Sequence, residues 1–146
     1  MPLDIVPLQP EHLKRIHLRQ SDERSIYLLE HLFHFDGQYK AFAGIENDTV
    51  LGIGGFIFEE NSDEAEGFLA LSDQATECPV RFTLVVRNRI RQFLKEYPNI
   101  KRLRAYVDNK YVFERMAWIV LLGFNEYRGP SELSPGWATF VMKVER

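Results

Sequence analysis

The stretch 82–97 narrows the folds open to this chain more than any other. Phe82, Val86, Ile90, Phe93 and Tyr97 step by four, four, three and four residues, which stacks them along one face of an α-helix. Pro98-Asn99 ends that helix. At its start Thr76 can serve as an N-cap, and Pro79 is tolerated in a first turn, where its missing N–H has no partner to lose. Short apolar runs flank the helix, GFLAL at 67–71 and RAYV at 104–107. A strand, a helix of this length and a second strand form a right-handed crossover, so the two strands are expected to lie side by side and parallel.

The remaining segments build outward from that unit. DIVPL at 4–8 suits a short strand. Pro10 opens a helical region reaching about residue 30, in which Leu13, Ile16, Ile26 and Leu29 can share apolar faces. The polar RQSDE at 19–23 interrupts it, which implies two helices or a kinked one. Runs 41–45 and 50–58 are strand-like and joined by Asn47-Asp48, both good turn formers, so they make a hairpin. Residues 110–122 read as a strongly apolar helix stopped by Gly123, which can supply a left-handed cap and return Phe124 to the core. Almost no polar residue interrupts 116–122, so this helix, Trp118 included, is expected to be buried on most sides. Strands around 124–127 and 138–144 close the chain. The order is β-α-α-β-β-β-α-β-α-β-β, with no linker or repeat, and the expectation is one mixed α/β domain over 1–146.

Composition limits the function classes. The chain has 146 residues, 45% hydrophobic and 27% charged, the profile of a globular protein. The start MPLDIVPLQPEHL lacks a basic n-region and an apolar h-region, and no apolar run approaches the ~20 residues that span a bilayer. A cytoplasmic protein with no membrane partner is expected. The lone Cys78 excludes an internal disulfide framework and a cysteine-based zinc cage. A net charge of −3 gives no general pull toward nucleic acid. The charges are unevenly spread: EENSDEAE at 59–66 is acidic, whereas Arg81, Arg87, Arg89, Arg91, Lys95, Lys101, Arg102 and Arg104 face only Glu96. A solvated helix face accounts for this basic stretch, and so would a surface for an anion or an acidic partner.

The element order, together with LGF at 122–124 after a strand and Asn109, resembles the GCN5-related N-acetyltransferase (GNAT) superfamily over nearly the whole chain. The resemblance implies a mixed, mostly antiparallel sheet with one parallel strand pair that splays, and helices on both faces. It further implies that acetyl-CoA lies in the wedge between the splayed strands, its pyrophosphate on the free amides and positive dipole end of the following helix. Carried onto this sequence, the cofactor positions are Leu71, Ser72, Gln74, Thr76, Arg81 and Asn109. The superfamily's loop signature is Gln or Arg, two residues, Gly, one residue, then Gly or Ala. Here Gln74 fits, but Glu77 and Pro79 stand at the two small positions. Glu77 adds negative charge beside a negative ligand, and Pro79 lacks a donor. Acetyl-CoA is therefore expected to bind weakly or not at all. The tyrosine often used as general acid is Ile119 here, leaving Tyr111 and Tyr106 as substitutes. LRQSDERSI at 18–26 and the Arg-rich helix are also similar to acetyltransferase-like proteins of tailed phages, the internal virion assembly type among them. Two functions follow: an acyl-CoA-dependent N-acetyltransferase acting on an amine, or a non-catalytic interaction protein, bound to a protein partner or to itself, that kept the fold and lost the cofactor.

Other residues carry weaker signals. Glu59, Glu60 and Glu66 fall at strand ends, where one could act as the base that deprotonates an amine, and the acidic run also suits a plain solvated loop. His31 and His34, three apart with Asp36 nearby, could present two imidazoles from a short helix, but there is no Cys partner and no third ligand at helical spacing, so no metal is expected. Gly52, Gly54 and Gly55 are followed by no helix, which removes a dinucleotide-binding role and leaves close strand packing. Cys78, near a helix start, could be an activated thiol, but no histidine is near it in sequence and an ordinary loop thiol is the simpler reading.

Overall fold

The computed structural model describes residues 3–23, 25–33, 37–77, 79–129 and 136–145; of residues 21, 25–28, 76, 77, 79, 109 and 112–114 the backbone alone is described. The strands are β1 (Asp4–Pro7), β2 (Gln38–Glu46), β3 (Thr49–Phe58), β4 (Glu64–Leu71), β5 (Arg102–Asp108), β6 (Glu126–Gly129) and β7 (Trp137–Lys143). The helices are α1 (Pro10–Arg15), α2 (Ser25–Leu32), α3 (Pro79–Glu96) and α4 (Val112–Leu121). Short 3-10 turns at Gln20–Asp22, Gln74–Glu77 and Asn109–Tyr111 join them. The element order is the expected one. The polar break before residue 24 yields two separate helices, and β4 and β5 extend further toward their N-termini than their apolar cores suggest.

All seven strands form one sheet in the order β1-β2-β3-β4-β5-β7-β6. Every pairing is antiparallel except β4 with β5. The β2–β3 hairpin turns through Asn47 and Asp48 at φ 51° and 62°, left-handed values that these two residues tolerate and that match the strand twist. At the end of α4, Gly123 has φ 111°. Its N–H donates to the Val120 carbonyl and that of Phe124 to the Ile119 carbonyl, the paired bonds of a Schellman cap.

The helices cover both faces. α3 and α4 pack on one, over a core that includes Phe56, Ala65, Phe93, Leu103, Phe124 and Phe140. Phe93 stacks on Phe56 with centroids 4.1 Å apart and meets Phe58 edge-on at 5.4 Å, so the helical stripe is fixed to the sheet by aromatic contacts. The α1 and α2 side packs on the other face, against Ala43, Val50, Ile53, Phe68 and Ala70. One expectation needs correcting. α4 is not buried on most sides: Val120 is 46% and Leu121 58% exposed, and Trp118 is half-buried. The helix lies on one face of a sheet with nothing over its outer side among the described residues, so only one stripe of an all-apolar run can be covered.

Candidate active site

Pairing between β4 and β5 runs from Glu64 opposite Arg102 to Gly67 opposite Ala105 and then stops. Both strands continue, because each is held by its other neighbour: β4 by β3 as far as Leu71, and β5 by β7 as far as Asp108. The unpaired ends bound a cleft of about 140 Å³, lined by Gly67, Leu69, Tyr106, Val107, Trp118 and Ile119 among others. Its walls are mainly apolar. The N–H of Ser72 donates to Leu51 of β3. By strand alternation the peptide groups of Leu71 and Leu69 face the wedge instead.

The mouth of the wedge is closed by the chain itself. Leu18 lies opposite Ser72 in an antiparallel bridge, and the Arg19 N–H donates to the Leu71 carbonyl at 2.9 Å. The Leu71 N–H donates to Asp22 Oδ2 at 2.8 Å, and Arg19 Nε donates to the same oxygen at 2.7 Å. Arg19 and Asp22 are both buried and both line the cleft. In the sequence these two residues stand in the polar RQSDE break and in the LRQSDERSI run, and neither reading gives them a place at the wedge.

Alternation along β4 and β5 places Glu64, Glu66, Arg102, Arg104 and Tyr106 on the face opposite α3 and α4. Arg102 and Arg104 both pair with Glu64, which neutralises that carboxylate. Glu66 instead accepts a hydrogen bond from the Tyr106 hydroxyl at 3.4 Å. Glu66 is exposed as a residue, but partial desolvation of its carboxyl raises its pKa, and the Tyr106 hydrogen bond opposes the rise. Glu59 and Glu66 line one depression of about 250 Å³ on this face, with Ile57, Ser62 and Arg104. Tyr106 lines the cleft. The Glu66–Tyr106 hydrogen bond therefore joins the depression to the cleft.

The other expected site residues fall as follows. Glu59 and Glu60 are exposed beyond the end of β3, at the opposite end of β4 from the wedge. Ser72 is buried, and its Oγ accepts the Ala75 N–H at 3.3 Å. Gln74 is exposed. Arg81, at the start of α3, is paired with Glu46 and sits 5.9 Å above the Phe82 ring. Tyr111 is half-buried in the turn before α4. Leu71 ends β4 at the mouth of the wedge. The side chains of Thr76, Glu77 and Asn109 lie outside the described residues, as do Cys78, His34 and Asp36 entirely; His31 is exposed. Among the described residues no group of three or more His, Cys, Asp or Glu is placed to hold a metal, and no helix is long and apolar enough to cross a membrane. The basic stretch is partly neutralised by the ion pairs of Arg81, Arg102 and Arg104, and Arg89, still charged, stacks over Phe42 at 4.7 Å.

No protein-family model matches the chain, and no characterised protein matches it in sequence. Solved structures do match in fold. The GNAT domain of S. lividans PAT superposes with a TM-score of 0.68 at 12% identity, over 97% of this chain and 90% of that one. The spermidine N-acetyltransferase from Vibrio cholerae, solved with CoA and spermine, gives 0.66 at 15% identity over 97% and 94%. The PaiA N-acetyltransferase from Thermoplasma acidophilum, solved with coenzyme A, gives 0.66 at 16% identity over 99% and 100%. The chain has the GNAT fold: a mostly antiparallel seven-stranded sheet with one splayed parallel pair and helices on both faces.

Proposed function

We propose that this protein is an acyl-CoA-dependent N-acetyltransferase acting on an amine, with a weakened cofactor site. The observation that carries the reading is the Glu66–Tyr106 hydrogen bond, which links a depression open to an acceptor with the wedge between β4 and β5. The described residues suit an acyl-pantetheine arm, since the wedge is apolar and the β4 edge carries no strand beyond Gly67. They suit the diphosphate less. Arg81 is tied to Glu46, and Ser72 is buried. What remains is the backbone at the start of α3, where Pro79 contributes no donor.

Bound in the wedge, the cofactor supplies an activated acyl thioester. Glu66 is the group that takes the proton from the acceptor's ammonium, directly or through water, which frees the amine lone pair to attack the thioester; its raised pKa makes it the stronger base. Tyr106 orients that carboxylate, and its hydroxyl, on the cleft lining, is the candidate for returning a proton where Ile119 has none to give. Glu59, in the same depression, adds negative charge that favours a cationic acceptor.

A second reading, a non-catalytic interaction protein, is favoured by one observation: the wedge-side peptide of Leu71 and the guanidinium of Arg81 are both already bonded within the chain. Calorimetric titration with acetyl-CoA separates the two. The enzyme reading expects saturable binding near 100 μM, about 5.5 kcal/mol, and thiol release with a panel of small amines. Absence of both at millimolar acetyl-CoA would leave the interaction protein.

A further inference from the structure

We propose that the segment 17–22, which links α1 to α2, is a displaceable strap, and that an amide-bearing ligand arm entering the wedge must push it off to pair with β4. This inference rests on the acyl-CoA reading above. The strap occupies wedge-side hydrogen-bonding positions at the end of β4. The Arg19 N–H is bonded to the Leu71 carbonyl, Asp22 Oδ2 to the Leu71 N–H, and the Asp73 N–H to the His17 carbonyl at 3.4 Å. Between Gly67, where pairing with β5 ends, and this strap, only the peptide of Leu69 faces the cleft along that edge. An unpaired strand edge takes up an extended partner readily. An arm longer than one peptide unit laid along β4 therefore runs into the strap at Leu71.

The pairing of Arg19 with Asp22 lowers the electrostatic cost of moving the strap. Arg19 and Asp22 pair with each other, so both move out together and neither ion is left buried alone. Ile16, buried in the α1 side of the core, holds the segment at its N-terminal end. Because the closed state cannot accept the full arm, observed affinity falls by the fraction of molecules that are open.

The test uses the Leu18–Ser72 bridge. Flanked by the Arg19–Leu71 and His17–Asp73 bonds, it is a non-hydrogen-bonded antiparallel pair, whose Cα atoms are typically about 4.5 Å apart, within disulfide range. In the full chain carrying Leu18→Cys, Ser72→Cys and Cys78→Ser, coenzyme A is titrated by calorimetry under oxidising and reducing conditions. We expect Kd to be at least ~10-fold weaker in the oxidised form, ~1.4 kcal/mol, and dithiothreitol to restore it. Equal affinity in the two forms overturns the strap and leaves the acyl-CoA reading standing. Amide exchange at Leu71 in the wild type and in the oxidised variant decides the matter without a ligand. Exchange through a local opening that the disulfide abolishes supports the strap even if neither form binds coenzyme A, an outcome that would sink the acyl-CoA reading alone. Exchange only through global unfolding overturns the strap.

Discussion

Replacing Trp118 by alanine tests how the cleft wall is held. The indole packs against both the main α3/α4 core and the smaller cluster around Phe82, and its Nε1 donates to Thr83 Oγ1 at 2.7 Å. It thereby ties α4 to α3 across the cleft. A fully buried tryptophan lost to alanine costs ~3–5 kcal/mol, but Trp118 is half-buried. Taking about half of the ~200 Å² that such a ring can bury, at ~25 cal/mol per Å², gives ~2.5 kcal/mol. The lost hydrogen bond raises this by up to about 1 kcal/mol, so Trp118→Ala should cost ~3 kcal/mol. Trp118→Phe keeps most of the packing and should cost ~1 kcal/mol. Urea unfolding followed by far-ultraviolet circular dichroism measures both, because the reporter is then unaffected by losing an indole; the denaturant slope should stay constant. A cost below ~1 kcal/mol for alanine would show that the wall does not depend on this ring. Equal costs for the two variants would show that the hydrogen bond alone matters.

Four further outcomes are expected. Glu66→Gln should lower kcat/KM by about 10²- to 10⁴-fold while leaving the Kd for coenzyme A unchanged in calorimetry; an unchanged rate removes Glu66 as base. The same carboxyl holds its proton to higher pH folded than unfolded, so its contribution to stability is present below the ordinary glutamate pKa of ~4.3 and is lost as pH rises through the raised value. Activity should move the other way, rising over that interval as the base ionises, and a pH–rate profile without an acid limb there would contradict the assignment. Glu46→Gln frees Arg81 from its ion pair and should tighten coenzyme A several-fold, with a stability change within about 1 kcal/mol, as for a partly exposed pair; a weaker Kd would show that Arg81 does not face the ligand. Gly55→Ala should cost more than about 3 kcal/mol or prevent folding, because a Cβ there overlaps the Lys40 carbonyl oxygen and comes within 2.8 Å of Ala41 Cα, both backbone atoms. Gly67→Ala, whose nearest neighbour would be 3.8 Å away, should be tolerated within about 1 kcal/mol, and thermal melts of the pair test the contrast.

Much of the architecture was legible in the chain because it is dictated locally. The 82–97 stripe needs only helical periodicity, the Asn47-Asp48 turn only residues that accept positive φ, and the end of α4 only a Gly123 without Cβ. The parallel β4–β5 pair followed from the length of the helix between them. The site was less legible. Glu66 was singled out as an acid at a strand end, but its partner Tyr106 lies 40 residues away and the two meet only because β4 and β5 are neighbours. The Asp22 contact to Leu71 spans 49 residues, and nothing in RQSDE signals that its carboxylate closes a strand edge. Arg81 looked available for an anion until β2 brought Glu46 beside it. Burial of α4 was overstated because apolar residues reveal what a helix can bury, whereas the sheet beneath it decides how many sides are covered. Periodicity, turns and caps are set by sterics within a few residues of backbone. The partner of a charge and the exposed side of a helix depend on which elements the sheet order makes adjacent.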